Sequence, residues 1–173
     1  LCWNGGLYLG VGDKVLKREA GTGEFGLFYT LDNCRSYISS LFFSSDGAMW
    51  LGTNAGAAFR IADGDKRELA SSAWVGGFYE TSDGCVWVAT RGDGAYCIDR
   101  DWNVTHFLHE DSPRSLISDQ VRTFCEDNLG QLWVGTFNGL DRLDRNTGAF
   151  YHYVPDVNRS DAISHASVWA IRK

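Results

Sequence analysis

Proline occurs twice in 173 residues, charged residues make up 22%, and no apolar run approaches the length needed to span a bilayer. Little proline beside 20 glycines points to many turns rather than extended proline-rich structure. Low charge with 44% apolar and 14% aromatic residues excludes a disordered chain and gives ample material for a core. The 16 basic residues are scattered among 22 acidic ones, net charge -6, so a nucleic-acid footprint is missing. Five cysteines (Cys2, Cys34, Cys85, Cys97, Cys125) are an odd number without C-x-x-C spacing, which argues against a structural zinc site or a fully paired disulfide framework. Most are read as small apolar fillers. No stretch longer than ten residues carries helical periodicity, so the expected class is all-β.

What is present is one recurring phrase. Leu132-Trp133-Val134-Gly135-Thr136 returns as Met49-Trp50-Leu51-Gly52-Thr53, as Val86-Trp87-Val88-Ala89-Thr90 and, more worn, as Leu7-Tyr8-Leu9-Gly10-Val11. A glycine turn precedes each copy. From aromatic to aromatic the spacings are 42, 37 and 46 residues, a repeat signature. A strand buried on both faces reads as nearly continuous apolar sequence. Residues two apart share a face, so the indole fills space while the small residue at Gly10, Gly52, Ala89 or Gly135 lets a bulky neighbour come close.

Each repeat parses into four strands, a to d. The boundaries expected are 1–37, 38–74, 75–120 and 121–162, with 163–173 beginning or closing another unit. The first repeat starts at its second strand, so the chain is cut between strands a and b. Such a start, without an initiating methionine, is what a segment of a longer protein would show. Asn138-Gly139 supports a b to c hairpin through the positive φ these residues accept. The segment Ile163-Ser164-His165-Ala166-Ser167-Val168-Trp169 echoes Ile117-Ser118-Asp119-Gln120-Val121, and Val168 to Arg172 is expected as one more strand, able to complete the first sheet in its own chain or in a second copy. Sheets of four strands repeated every forty or so residues favour radial stacking into a β-propeller segment of about four four-stranded blades. A β-sandwich is the alternative, and it leaves the recurring tryptophan phrase unexplained.

The run Gly130-Gln131-Leu132-Trp133-Val134-Gly135-Thr136-Phe137-Asn138-Gly139-Leu140-Asp141-Arg142-Leu143, followed by Thr147-Gly148-Ala149-Phe150-Tyr151-His152-Tyr153, resembles the two-component regulator propeller repeat. The resemblance covers nearly the whole chain and is weakest in the first repeat. It implies a seven-bladed propeller in the periplasmic, extracytoplasmic sensor half of a hybrid histidine kinase, many of which sense glycans, and hence a non-catalytic segment without cofactor or metal.

Several chemical readings compete with structural ones. Asp46-Gly47, Asp83-Gly84 and Asn128-x-Gly130 have the spacing of sialidase Asp-box turns, whose carboxylates usually bond turn amides. Arg91-Gly92-Asp93 spells an adhesion tripeptide at a hairpin tip, where Gly and Asp are common anyway. His106 and His109 are three apart on a strand and point to opposite faces, so they do not share a metal. No serine, histidine and acid arrangement is evident, and the pairs Glu110/Asp111 and Glu126/Asp127 are adjacent, which suits no pair of opposed glycosidase carboxylates.

Propellers usually bind on the rim built by b to c hairpins and d to a connections. Here the hairpins supply Asp13, Asn54, Arg91, Asp93 and Asn138, and the connections supply Arg35, Tyr37, Trp74, Arg114 and His165. Stacking aromatics, guanidinium forks and amides suit a neutral, sulfated or uronic oligosaccharide. The expected function is a carbohydrate-sensing segment of a two-component receptor, whose partners would be an oligosaccharide and either the remaining blades of a longer chain or a second copy. No nucleic acid and no membrane contact is expected. An interaction or dimerisation scaffold without small ligand, and a propeller glycosidase or lyase, are the alternatives.

Overall fold

A computed structural model describes residues 1–32 and 36–173. Arg35 and Cys34 lie outside the described residues. The described chain is all β, without helix, and forms four antiparallel four-stranded sheets.

Blade 1 comprises β1 (Cys2–Trp3), β2 (Gly6–Val11), β3 (Lys14–Arg18) and β4 (Phe25–Thr30). Blade 2 comprises β5 (Ile38–Phe43), β6 (Met49–Thr53), β7 (Ala57–Ala62) and β8 (Asp65–Ala70). Blade 3 follows with β9 (Val75–Glu80), β10 (Val86–Thr90), β11 (Ala95–Ile98) and β12 (Val104–Phe107). Blade 4 holds β13 (Val121–Glu126), β14 (Leu132–Thr136), β15 (Leu140–Asp144) and β16 (Ala149–Tyr153). The b strands β2, β6, β10 and β14 coincide with the four copies of the recurring phrase to within one residue. Two differences stand out. Cys2 and Trp3 already pair with Leu7 and Gly6, so two residues of strand a precede the first b strand. The segment 154–173 contains no strand, so the strand expected over Val168 to Arg172 is not formed.

The chain divides into two compact units, Leu1–Val75 and Gly76–Lys173. In the first, Tyr8 and Val15 of blade 1 pack with Phe43, Met49, Leu51 and Phe59 of blade 2. In the second, Trp87 of blade 3 packs with Phe124, Leu132, Leu143 and Phe150 of blade 4. Tyr8 and Trp87, the aromatics of the phrase in blades 1 and 3, therefore lie against the next blade of their units.

The small residue two places on is required by the same contact. A Cβ on Gly10 would meet Ile38 Cγ2 at 3.0 Å, and one on Gly135 would meet Val168 Cγ1 at 2.9 Å. At Gly52 it would meet Val75 Cγ1 at 2.5 Å, within the first unit. Ile38 and Val75 open the strand a that follows, and Val168 takes the same place although no strand forms there. Ala89 is buried in one cluster with Val121, which opens β13.

The turns before the b strands of blades 2, 3 and 4 close through a side-chain oxygen. Asp46 Oδ1 accepts from Ala48 N (3.1 Å) and Asp83 Oδ1 from Cys85 N (3.1 Å). In blade 4 Asp127, one place before the Asn128 of the sequence pattern, accepts from Leu129 N (2.8 Å) and Gln131 N (3.0 Å). The Asp-box-like turns are thus internally satisfied. They also reach the indoles: Trp50 Nε1 donates to Ser44 Oγ (3.0 Å) and Trp133 Nε1 to Asp127 Oδ2 (2.9 Å). Trp87 Nε1 is buried without a partner among the described residues.

Candidate functional site

In the first unit the hairpin tip after β6 folds against the connection that follows β8. Gly56 sits there at positive φ, with Ser71 N donating to its carbonyl (2.6 Å) and Ala73 packed where a Cβ would stand. Asn54 Oδ1 accepts from Tyr37 N (3.0 Å), and Asn54 N donates to Tyr37 O (3.2 Å). Two of the predicted residues, Asn54 and Tyr37, are therefore joined directly, with the half-exposed Trp74 one residue beyond Ala73. Asp13 contributes its carbonyl to Leu31 N (2.8 Å), a structural use.

In the second unit Arg91 forms an antiparallel bridge to Gln120, and Gly92 N and Gly94 N both donate to Asp119 O (3.0 Å each). The tripeptide loop is thereby fastened to the connection before β13. Asp93 Oδ2 accepts from Tyr96 Oη (2.6 Å), and His106 Nε2 lies 2.8 Å from the Asp93 carbonyl. Tyr96 and His106 stack with ring centroids 3.9 Å apart. A carboxylate so engaged is no free adhesion contact. Asn138 is exposed beside Phe137, whose N–H donates to Gln120 O (3.0 Å).

Arg114 and His165 fall elsewhere. Arg114 O accepts from Phe150 N (2.9 Å) on β16, and its side chain lines a cleft of about 200 Å³ with His106, Glu110 and Ser115. His165 Nδ1 accepts from Ser167 N (3.0 Å) in the turn that delivers Val168.

The structure also assembles groups that spacing did not announce. Asp141 and His152 face each other in the β15–β16 register, with Nδ1 to Oδ1 2.7 Å. Ile117 N donates to Asp141 Oδ2 (2.9 Å). Burial pushes the Asp141 carboxyl above its ordinary pKa, against the Ile117 amide and His152, which favour its charge. The pair anchors the connection over 109–120 to blade 4. Its carboxylate is wholly buried, so it presents no acid to a substrate. A second group ties blades 3 and 4: Arg145 reaches Asp83 Oδ2 (2.5 Å) and Glu126 Oε1 (2.9 Å), while Glu126 accepts from Ser82 N and Oγ (2.7 and 2.9 Å). Nearby, burial and the Cys85 thiol push the Cys97 thiol up to about 12, so it stays protonated and is no nucleophile. Among the described residues no three His, Cys, Asp or Glu side chains are placed to hold a metal.

The two-component regulator propeller family model matches residues 69–92 and 115–138, the strand a to b passages of blades 3 and 4. Two stretches of the chain, one in blade 3 and one in blade 4, are thus similar to the two-component regulator propeller repeat. Solved structures share the fold at low identity. One is described as the extracellular domain of a hybrid two-component system, BT4673, from B. thetaiotaomicron: 18% identity, TM-score 0.73, covering 95% of this chain and 23% of that one. Another, BT3049 of the same organism, gives 19% identity, TM-score 0.66, and covers 78% and 20%. A catalytically inactive virginiamycin B lyase from Staphylococcus aureus, solved with quinupristin, gives 19% identity, TM-score 0.65, and covers 85% and 50%. The chain thus spans about a fifth to a quarter of the two-component structures. No curated protein matches it.

Proposed function

We propose that this segment belongs to the extracytoplasmic sensor region of a two-component receptor and takes no part in catalysis, its hairpin rim reading a carbohydrate-type ligand. The observation that carries the reading is the family match on two successive blades, in an all-β chain whose sheets align with extracellular domains described as parts of two-component systems. The rim groups support it: Tyr37, Trp74 and Asn54 in one unit, Arg91 and Asn138 in the other, are aromatic, amide and guanidinium side chains that recognise hydroxyl-rich ligands. A receptor of this kind responds when ligand prefers one arrangement of its domains and shifts the population toward it.

Titration of the chain against a panel of oligosaccharides, read by thermal shift and by chromatography of the sugars, tests this. Stabilisation with the sugars recovered intact supports the sensor reading. Product formation would replace it with the lyase or glycosidase reading.

A second reading, a scaffold that docks other blades, is favoured by two uncovered faces. Leu9 of blade 1 is exposed where its counterparts Leu51 and Val134 in blades 2 and 4 are buried, Leu27 on the same face is exposed as well, and Tyr151 and Tyr153 lie open on the Trp133 side of blade 4. The occupants would be further blades of the same repeat, which is compatible with sensing.

A further inference from the structure

The register of blade 4 slips at one position. Val121 pairs with Thr136 and Thr123 with Gly135, leaving Arg122 as the extra residue of a bulge. Bulges re-aim side chains. Here the Arg122 guanidinium lies 3.6 Å from the centroid of the Trp169 ring and 5.2 Å from that of Phe137. Both rings are exposed, Trp169 by 69%. Arg122 Nε is buried without a hydrogen-bond partner, and among the described residues no carboxylate pairs with this guanidinium.

The surroundings are polar and carry unspent donors. Gln120, two residues before Arg122, holds Phe137 N through its carbonyl and bridges to Arg91, and its side chain is exposed, as is that of Asn138. The acids of this rim are already occupied: Asp93 by Tyr96, and Asp119 Oδ1 by His109 N (2.6 Å). Each neighbouring acid thus has at least one oxygen engaged by a donor of the protein, while none pairs with Arg122.

We propose that Arg122, Trp169, Phe137, Gln120 and Asn138 form a subsite for the carboxylate of an acidic saccharide, a uronate residue. A guanidinium engaged through its π face keeps its two terminal Nη groups for a planar, bidentate acceptor, which a carboxylate is. The broad exposed indole offers an apolar platform for the C–H face of a pyranose, and the two amides match its hydroxyls as donor or acceptor. This inference rests on the carbohydrate-sensing reading and narrows it to an anionic sugar bound at one blade.

Calorimetric titration with tetragalacturonate and with its methyl ester, at low and at physiological salt, tests the subsite. The acid should bind at least about tenfold more tightly than the ester, a difference that shrinks as salt screens it. Arg122→Gln should remove that preference, Arg122→Lys should not restore it because the fork is lost, and Trp169→Ala should weaken acid and ester alike. Since Arg122→Gln could disturb the bulge, the acid-to-ester ratio of the unaltered protein is an independent readout. Equal binding of acid and ester, or acid binding unchanged in Arg122→Gln, overturns the subsite. Neutral oligosaccharides bound without regard to Arg122 overturn it while leaving the sensor reading intact, and silence across neutral and acidic sugars overturns both.

Discussion

At Gly52 an added Cβ would run into Ser40 Oγ and come within 2.5 Å of Val75 Cγ1 and 2.9 Å of Val75 Cβ. Neither neighbour can retreat, because Val75 is fully buried and its carbonyl is held by Ser39 Oγ (2.7 Å) and Ser40 Oγ (3.2 Å). Overpacking of this kind costs about 1–3 kcal/mol. Gly52→Ala should therefore lower the urea midpoint clearly, and Gly10→Ala, which meets only Ile38 Cγ2 and Cβ, should lower it less. Equal costs would count against the close-approach account. Asp46 gives a pH signature at the same scale. Burial opposes its ionisation, but the Ser44 hydroxyl, the Arg60 guanidinium and the Ala48 amide together hold its pKa down to about 2, from 3.8. A depressed carboxylate contributes stability that is full above its unfolded pKa and is lost as pH falls through the folded one. The Asp46 share should disappear between about pH 4 and pH 2. Asp46→Asn should flatten that part of the acid limb in a stability-versus-pH series. Asp141 has the opposite sign: its raised pKa means that protonation on lowering pH favours the folded state, a contribution that Asp141→Asn would make pH-independent.

At the scale of the element, three indoles occupy one place in three blades but have different partners. Trp50 donates to a hydroxyl, Trp133 to a carboxylate, and Trp87 to nothing among the described residues. Replacing Trp by Phe removes a hydrogen bond in blades 2 and 4 but relieves a buried, unpaired N–H in blade 3. Trp87→Phe should thus be less destabilising than Trp50→Phe by about 1 kcal/mol in chemical denaturation. The Arg145 tie between blades 3 and 4 makes a second case. Glu126 is only 10% exposed, whereas Arg145 and Asp83 are 32% and 46% exposed, so screening reduces the loss on Arg145→Met to about 1–2 kcal/mol. A double-mutant cycle with Glu126→Gln should show positive coupling, and an additive cycle would remove the tie from the account.

The elements were legible in the sequence because their signals are local. A Trp-x-Gly phrase after a glycine turn announces strand b by composition alone, and its neighbours follow by hairpin spacing. The site was legible only in part. Tyr37, Asn54, Arg91 and Asn138 sit in hairpins or connections whose turn chemistry marks them as rim. Arg122 lies inside a strand, and only the bulge between Val121 and Thr123 turns it toward Trp169. The Asp141–His152 pair depends on cross-strand register, and Arg114 on the path of a long connection. Spacing in one sequence carries neither.

At the scale of the whole molecule, each unit leaves one face of the repeated kind uncovered. Leu9 is 38% and Leu27 64% exposed, while Leu51 and Val134, the counterparts of Leu9, are buried. Covering a leucine contributes about 1.5–3 kcal/mol, enough for about a tenfold change in association. Leu27→Lys should accordingly weaken concentration-dependent association in sedimentation velocity, and association unaffected by it would place the contact elsewhere. The same logic of faces and fillers decides which tryptophans water can reach. Hydroxyl-radical footprinting of the native chain, read residue by residue by mass spectrometry, measures this directly. Trp50 and Trp87 should be protected, Trp133 intermediate and Trp169 fastest. Modification of Trp50 and Trp87 at the rate of Trp169 would contradict the claim that these two recurring indoles are buried.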